Sequence, residues 1–195
     1  MSLALTLWSL HPDTPAVSAG QVDLWRFRLD LPGAEVDALA ALLSDDELAR
    51  AERLLDPLKS NCFVVARGRL RQILGRYLDL APVDIPFAYG EHGKPRLTGQ
   101  IGENLDFNLS HAGCRGLLAV TGGQAVGVDI ERVSQRLEYR KVAARVFTPD
   151  ELAKLGQYHA ARRRRAFFRI WTRKEAWLKG HGGGFSTVPV VMRQT

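Results

Sequence analysis

Hydrophobic and polar residues alternate along two stretches of the chain, and this period of two is typical of strands. The clearest example is VGVDIERV, residues 126–133, and QVDLWRFRLDL, residues 21–31, follows the same rule. Shorter strands are predicted over Leu105–Leu109 and Gly116–Val120. Because the turn TGGQ, residues 121–124, leads from the last of these into VGVDIERV, we expect a hairpin over residues 116–132.

Helical periodicity and capping residues predict the other main elements. Ser44-Asp45-Asp46-Glu47 has the form of a capping box, followed by a helix to about Leu55. A longer helix is expected over residues 60–78. Thr148 and Pro149 have the form of another helix start, and a last strong helix is predicted over residues 163–179.

The strand predicted at VGVDIERV carries two carboxylates on one side. Successive side chains of a strand point to opposite faces, so Val126, Val128 and Ile130 would share one face. Asp129 and Glu131 would share the other face with Gly127, which leaves the surface open beside Asp129. Asp129 and Glu131 can be read as a solvent-facing side of a strand or as part of a site.

The last predicted helix carries a carboxylate in an unexpected position. With about 100° of rotation per residue, Phe167, Phe168 and Leu178 fall on the same face as Trp171, and Glu175 lies about 40° from Trp171. A buried carboxylate is costly unless it is paired, hydrogen-bonded or bound to metal. One explanation for Glu175 is a pair with Lys179 at i,i+4.

A metal site would explain both the paired carboxylates of the predicted strand and the carboxylate on the apolar face of the last helix. Three carboxylates from two elements, Asp129, Glu131 and Glu175, would form an oxygen-rich Mg²⁺ site facing one cleft. Magnesium is usually held by one or two carboxylates, water and substrate phosphates. This combination indicates phosphoryl-group chemistry.

Composition restricts the partners and the compartment. The net charge is +6 and the pI is near 9.7, which favours an anionic partner. Hydrophobic residues make up 46% and charged residues 25%, as in ordinary globular proteins. Cys62 and Cys114 lack metal-ligand spacing and are expected to be free thiols in the cytoplasm. No apolar run approaches the ~18 residues of a membrane span.

Two motifs at a characteristic separation carry a family resemblance. They are Val126-Gly127-Val128-Asp129 and the segment WTRKEAWLK, residues 171–179. Supporting matches are Gly93-Lys94-Pro95, Asn108-Leu109-Ser110-His111 and Phe147-Thr148-Pro149-Asp150-Glu151. On these residues the chain resembles the 4′-phosphopantetheinyl transferases, and specifically the Sfp-like type that activates surfactin synthetase.

The resemblance implies an activity and a set of site residues. Phosphopantetheine would pass from coenzyme A to a serine of an acyl or peptidyl carrier protein, releasing adenosine 3′,5′-bisphosphate. Asp129, Glu131 and Glu175 would hold Mg²⁺, Glu175 would accept the serine proton, and Lys179 would contact the pyrophosphate. The other residues implied to contact coenzyme A are Asp129 itself, Lys94, Pro95, Ser110, His111 and, as weaker candidates, Arg50, Arg53 and Arg67.

The resemblance also implies an α+β fold of two pseudo-symmetric halves with the active site between them. We place the boundary near Gly122-Gly123, with an N-terminal half over 1–123 and a C-terminal half over 124–195. Only about 16 residues follow Lys179, so the second half is expected to be short at its C-terminus. We expect a cytoplasmic monomer that binds neither membrane nor nucleic acid.

Three features leave alternatives open. The run Arg162–Arg165 is either a solvated helix face or a docking surface for acidic carrier proteins. With the overall charge it also permits a nucleic-acid-binding module, although no aromatic residues are interleaved as stacking platforms. A relative that binds coenzyme A or carrier proteins without catalysis is a third alternative. For Glu151, helix capping is one sufficient explanation and a functional role is the other.

Overall fold

The computed structural model describes residues 15, 17–18, 20–89 and 95–181. The helices and strands follow one another in this order: β1 Val22–Arg28, α1 Gly33–Ala40, α2 Asp45–Glu52, α3 Pro57–Leu78, β2 Phe87–Tyr89, β3 Pro95–Leu97, α4 Gly99–Asn104, β4 Asp106–Ala112, β5 Arg115–Thr121, α5 Tyr139–Val146, α6 Pro149–Gln157 and α7 Ala160–Gly180. The chain therefore has a mixed α/β fold, as predicted. None of the helices in these ranges is long and apolar enough to cross a membrane.

The main sheet has three antiparallel strands in the order β1-β5-β4. Leu118 in the central strand pairs with Trp25 of β1 and with Leu109 of β4. The central strand is buried along most of its length because α3 packs nearby, and Leu118 and Val120 are fully inaccessible to solvent. Burying a large aliphatic side chain contributes about 1.5–3 kcal/mol, so this first core accounts for much of the stability of the N-terminal part.

Helices α5, α6 and α7 enclose a second core. Phe167 is fully buried at its centre and stacks on Phe147, with ring centroids 5.2 Å apart. Tyr139 contacts the same ring at 5.6 Å. The described residues after β5 form helices but no strand, so the pseudo-symmetry of two α/β halves stays a prediction, as does the boundary at residue 123.

The capping and helix predictions are confirmed. Ser44 and Glu47 form a capping box at the start of α2, and Thr148 and Glu151 form one at the start of α6, where Pro149 occupies the first turn. Helix α3 begins at Pro57, three residues before the predicted start, because Asp56 caps it by accepting a hydrogen bond from Leu58 N. Cys62 and Cys114 are free thiols.

The predicted hairpin over residues 116–132 is wrong. The hairpin is formed by β4 and β5 instead, and residues 125–134 form neither helix nor strand. The reason is that β5 is already paired on both edges, with β1 on one side and β4 on the other. The segment after the turn therefore has no free edge of β5 to join.

Candidate active site

The segment around Asp129 is held against β4 by side chains. The amide of Val126 donates to Asp106 Oδ2 at 2.9 Å, and the amide of Val128 donates to Asn108 Oδ1 at 2.8 Å. A third, longer contact runs from the amide of Ile130 to Ser110 Oγ at 3.4 Å. We call residues 126–130 the Asp129 segment. Its alternate amides thus bind β4 even though it is not a strand of the sheet.

The other side of the Asp129 segment packs on helix α7. A Cβ atom placed on Gly127 would overlap the carbonyl oxygen of Ala176 and the amide nitrogen of Gly180. A Cβ on Gly180 would in turn lie 3.1 Å from the amide nitrogen of Gly127. Two glycines therefore allow the backbones of segment and helix to touch. The sequence-based explanation of Gly127, an open surface beside Asp129, is corrected by this contact.

Asp129, Ser110 and Lys179 meet in one hydrogen-bonded cluster. Lys179 Nζ lies 2.6 Å from Asp129 Oδ1 and 2.9 Å from Ser110 Oγ, and Ser110 Oγ donates to Asp129 Oδ1 at 2.9 Å. The Asp129 side chain is only 4% exposed, whereas that of Lys179 is 31% exposed. The ammonium of Lys179, on α7, therefore lies beside a nearly buried carboxylate. The cluster joins α7, β4 and the Asp129 segment.

One oxygen of Asp129 lacks a hydrogen-bond partner. Oδ2 is buried, and it is the one buried side-chain polar atom within the described ranges without a protein partner. A buried carboxylate oxygen without a partner is costly. Such an atom points to a ligand that binds there.

Glu175 is half-buried on α7, one turn before Lys179. Burial raises the pKa of its carboxyl group, the nearby Lys179 lowers it, and the negative charges of Asp129 and Glu131 raise it further. The predicted apolar face is confirmed, with Phe167, Phe168 and Leu178 all buried. Glu175 is therefore close enough to Asp129 and Glu131, the two carboxylates with which the sequence grouped it, for their charges to raise its pKa.

Glu131 is exposed, and its Oε1 accepts a hydrogen bond from Trp171 Nε1 at 3.1 Å. Across the part of the chain that the structure describes, no three His, Cys, Asp or Glu side chains lie close enough to form a ready metal centre. The donor set of Asp129, Glu131 and Glu175 still fits Mg²⁺ in kind, because all three are carboxylates and Oδ2 of Asp129 has no protein partner.

His111 follows Ser110 in β4, one residue before the end of the strand. Desolvation by the surrounding protein lowers the pKa of its imidazole, and the positive charge of Lys179 lowers it further. His111 therefore favours the neutral form and lies within electrostatic reach of the Asp129 cluster. Lys94 lies outside the described residues.

The other predicted coenzyme A contacts do not join the Asp129 cluster. Arg67 is buried beside Glu47, at 3.6 Å, and its guanidinium lies over the rings of Phe63 and Tyr89. Burial lowers the pKa of Arg67. Pro95 begins β3 opposite Tyr89. Arg67 is thus committed to internal contacts.

The two remaining arginine candidates, one in α2 and one directly after it, differ from Arg67 of α3. Arg50 lies over the ring of Phe63 at 5.5 Å. Arg53 is exposed at the C-terminal end of α2, and its side chain makes no hydrogen bond or ion pair with another residue of the described ranges. Both guanidinium groups sit near the surface, where an anionic ligand could reach them.

Lys174, the residue before Glu175 on α7, forms an ion pair that the sequence did not reveal. Lys174, whose side chain is 4% exposed, contacts Glu151 Oε2 at 2.7 Å. The same carboxylate caps α6 through the amide of Thr148. Glu151 therefore does more than cap a helix, because it links the start of α6 to the face of α7 that precedes Glu175.

Sequence reasoning also missed Asp106 and Asn108. Both precede Ser110 in DFNLSHA, where polar side chains recur at every second residue of an apolar strand. This is the same period-two signal that drew attention to Asp129. The alternation could therefore have been noticed in the sequence. It would not have shown that these side chains bind the backbone of residues 126–130.

Comparison with known proteins identifies the family. A sequence model of the 4′-phosphopantetheinyl transferase superfamily matches residues 125–193. The 4′-phosphopantetheinyl transferase HetI of Nostoc sp. is 39% identical over 180 residues, which cover 92% of this chain and 76% of the relative. AcpT of Salmonella typhi is 41% identical over 58% of this chain and 56% of its own length. A 4′-phosphopantetheinyl transferase of Bacillus subtilis is 26% identical over 80% of this chain and 67% of its own length.

The matched region begins at the Asp129 segment and includes all of helix α7, the two elements that carry the carboxylates and Lys179. The extended similarity to HetI, at an identity of 39%, covers the sheet and α3 as well. The motif resemblance found in the sequence is therefore confirmed at the level of the family. The chain belongs to the 4′-phosphopantetheinyl transferase superfamily and is an enzyme of that class.

Proposed function

We propose that this enzyme transfers the 4′-phosphopantetheine group of coenzyme A to a serine of an acyl or peptidyl carrier protein, in a Mg²⁺-dependent reaction. The serine oxygen forms a bond to the phosphorus that carries the pantetheine arm. The bond from that phosphorus to the bridging oxygen breaks, and adenosine 3′,5′-bisphosphate leaves. The observation that carries the proposal is the buried, unpartnered Oδ2 of Asp129 beside Lys179 and Ser110.

Lys179 supplies the positive charge that a pyrophosphate needs, and Ser110 binds both Lys179 and Asp129. The Lys179 side chain is 31% exposed, so it can contact solvent and substrate while its pair with Asp129 holds it in place. A fixed positive charge at the site of developing negative charge stabilises a transition state without reorganisation. We assign Lys179 this role and assign Ser110 the orientation of both side chains.

Asp129, Glu131 and Glu175 are the residues that would hold Mg²⁺. When bound, the ion would neutralise charge on the pyrophosphate oxygens. The unpartnered oxygen of Asp129 supports this assignment. Within the protein, Asp129 binds Ser110 and Lys179, and Glu131 accepts a hydrogen bond from Trp171.

Glu175 is the residue that we propose as general base. Its raised pKa, caused first by burial, makes the carboxylate more basic than an exposed glutamate. It would accept the serine proton directly or through one water. Its position on α7, one turn before Lys179, places base and cation on the same rigid element.

Coenzyme A would extend from this cluster toward the sheet. We propose His111 as a contact to its nucleotide end, together with Lys94 and Pro95, on the strength of the motifs that contain them. Arg53 is a weaker candidate that is exposed and available. For Arg67 we propose only that it contributes to the shape of the site, because its guanidinium already contacts Glu47, Phe63 and Tyr89.

The arginine run divides into two kinds of residue. Arg164 donates to the carbonyls of Ser134 and Leu137, and Arg163 donates to Gly156 and Tyr158. Arg162 and Arg165 are exposed, and at 100° per residue they share one face of α7 with Arg169 and Arg173. We propose that this exposed stripe, and not the whole run, attracts an acidic carrier protein to the helix that bears Glu175.

The remaining parts of the proposal concern subtype, assembly and location. We propose the Sfp-like subtype, two pseudo-symmetric halves and a cytoplasmic monomer. The spacing of the two motifs supports the subtype. The two separate hydrophobic cores of the described residues, one between residues 17 and 120 and one between residues 137 and 171, support the two halves.

The test is transfer from coenzyme A to purified acyl and peptidyl carrier proteins, followed by intact-protein mass spectrometry. The expected result is the mass increase of one phosphopantetheine group in the presence of Mg²⁺, and its loss with EDTA or in Glu175→Ala. Failure of the wild-type chain to modify any carrier protein would refute the proposal. Retained binding of coenzyme A by calorimetry would then indicate a non-catalytic binder, and tight, salt-sensitive binding to DNA would indicate a nucleic-acid module.

A further inference from the structure

Strand β4 presents two different faces. Phe107 is 2% exposed and packs in the first core, where its ring lies 5.8 Å from that of Phe87. Asp106, Asn108 and Ser110 alternate with the core residues and so project from the opposite face. Asn108 and Ser110 are buried although both are polar. Something other than solvent must therefore satisfy these side chains, and the Asp129 segment does so.

The contacts between β4 and the Asp129 segment keep one register. Residues 106, 108 and 110 bind the amides of residues 126, 128 and 130, so each contact joins positions 20 residues apart. Both partners advance by two residues at each step in the same direction. The arrangement resembles a parallel ladder in which the acceptors are side-chain oxygens instead of backbone carbonyls.

Side-chain acceptors hold the segment differently from a backbone ladder. A carboxylate or amide oxygen reaches out from the face of the sheet, so the segment lies over that face and not at its edge. In this position Gly127 reaches the backbone of α7, and Asp129 reaches Lys179 and Ser110. A slip of one residue would exchange the bonded amides for those of residues 127 and 129 and turn Asp129 away.

We propose that Asp106 and Asn108 are positioning residues, which fix the register of the Asp129 segment and so place the Asp129 carboxylate against Lys179. The inference deepens the proposed function and rests on it. Neither side chain has a hydrogen bond or ion pair with Asp129 in the structure, and both act through the backbone of residues 126 and 128. A displacement of about 1 Å at a reacting group can cost 10²-fold in rate, so a small loss of register has a large effect.

The test compares variants that lose the acceptor with one that keeps it. Asn108→Leu and Asp106→Leu remove the acceptor at similar size, whereas Asp106→Asn keeps an acceptor oxygen in the same place. The matched control is Tyr77→Phe, which removes a part-buried hydroxyl that binds Trp25 and Asp23 at 2.7 Å, away from the Asp129 segment. Each variant is measured for thermal stability, for kcat and KM, and for amide exchange of residues 125–131.

Asn108→Leu and Asp106→Leu are expected to lower kcat by at least about tenfold and to speed exchange of the Val126 and Val128 amides. Asp106→Asn should retain most of the kcat, and Tyr77→Phe should lose stability without loss of kcat. If the leucine variants keep wild-type kcat or wild-type exchange of these amides, the proposal is overturned. Amide exchange needs no substrate, so a wild-type chain inactive on every carrier protein would refute the proposed function and still leave this inference measurable.

Discussion

Two nearly buried carboxylates, Glu47 and Asp129, differ in how many of their oxygens have a hydrogen-bond partner. Both oxygens of Glu47 have partners: Oε2 accepts from Arg71 Nε at 2.7 Å and from the Ser44 amide at 3.1 Å, and Oε1 accepts from Tyr89 Oη at 3.1 Å. Arg67 approaches Oε1 as well, at 3.6 Å. Asp129 has partners on Oδ1 alone, and its Oδ2 is buried with none.

The difference separates a structural carboxylate from a candidate functional one. A fully bonded buried charge joins the elements that surround it, and Glu47 joins α2, α3 and Tyr89 of β2. A buried oxygen without a partner carries a desolvation cost that the fold does not offset. Such a cost is expected where a ligand completes the site. Burial alone does not distinguish the two residues, since the side chains are 2% and 4% exposed.

Asp129→Ala should have the largest effect, and on activity. We expect the rate of transfer to fall by roughly 10³-fold or more. Removal of a group that stabilises transition-state charge costs about 10²–10³-fold in rate, and Lys179 also loses the carboxylate that holds its ammonium in place. Initial rates of carrier-protein labelling measure this. The control is Asp37→Ala on exposed α1. Near-normal transfer by Asp129→Ala would show that the unpartnered oxygen has no role in the reaction.

Glu47→Gln should have the next largest effect, and on stability. It leaves the buried guanidinium groups of Arg67 and Arg71 without a counter-charge, which costs about 3–5 kcal/mol. For a chain of this size that corresponds to a fall in melting temperature of about 10 °C. Thermal unfolding measures it. A melting temperature within a degree or two of wild type would contradict the structural role of this cluster.

Gly127→Ala tests whether packing against α7 sets the position of the Asp129 segment. The new methyl group would overlap the backbone of Ala176 and Gly180, and overpacking of this kind costs about 1–3 kcal/mol. Activity should fall together with stability. Gly156→Ala is the matched control, since a Cβ there meets no atom within 4 Å and alanine favours a helix by up to about 1 kcal/mol. Equal behaviour of the two variants in calorimetric unfolding would refute the contact.

The smallest effect is expected from His111, and it depends on pH. Its pKa is lowered in the folded state, so the unfolded chain binds more protons between the folded value and the ordinary value near 6.5. Stability should therefore fall as the pH drops through this window. His111→Gln should flatten the dependence. Melting temperatures between about pH 5 and 7.5 measure the difference, and an unchanged slope in the variant would show that another group titrates.

The local elements could be predicted from sequence because their signals are local. Ser44 with Glu47 and Thr148 with Glu151 form the predicted capping boxes, since each joins residues only three apart. The apolar face of α7 followed from helical periodicity, with Phe167 and Leu178 buried as expected. The strand predicted at residues 126–132 failed because the alternation of side chains cannot show whether a sheet edge is free.

The sequence by itself determined the family, the helices α2, α3, α6 and α7 and the identity of the carboxylates, because motif spacing, capping residues and periodicity are properties of the chain order. The tertiary structure decided how those groups are used. It pairs Lys179 with Asp129, buries Lys174 against Glu151, and commits Arg67 to Glu47. These contacts join residues from 20 to 50 positions apart, and the distance in space between such residues depends on the packing of the sheet against its helices, which no local pattern encodes.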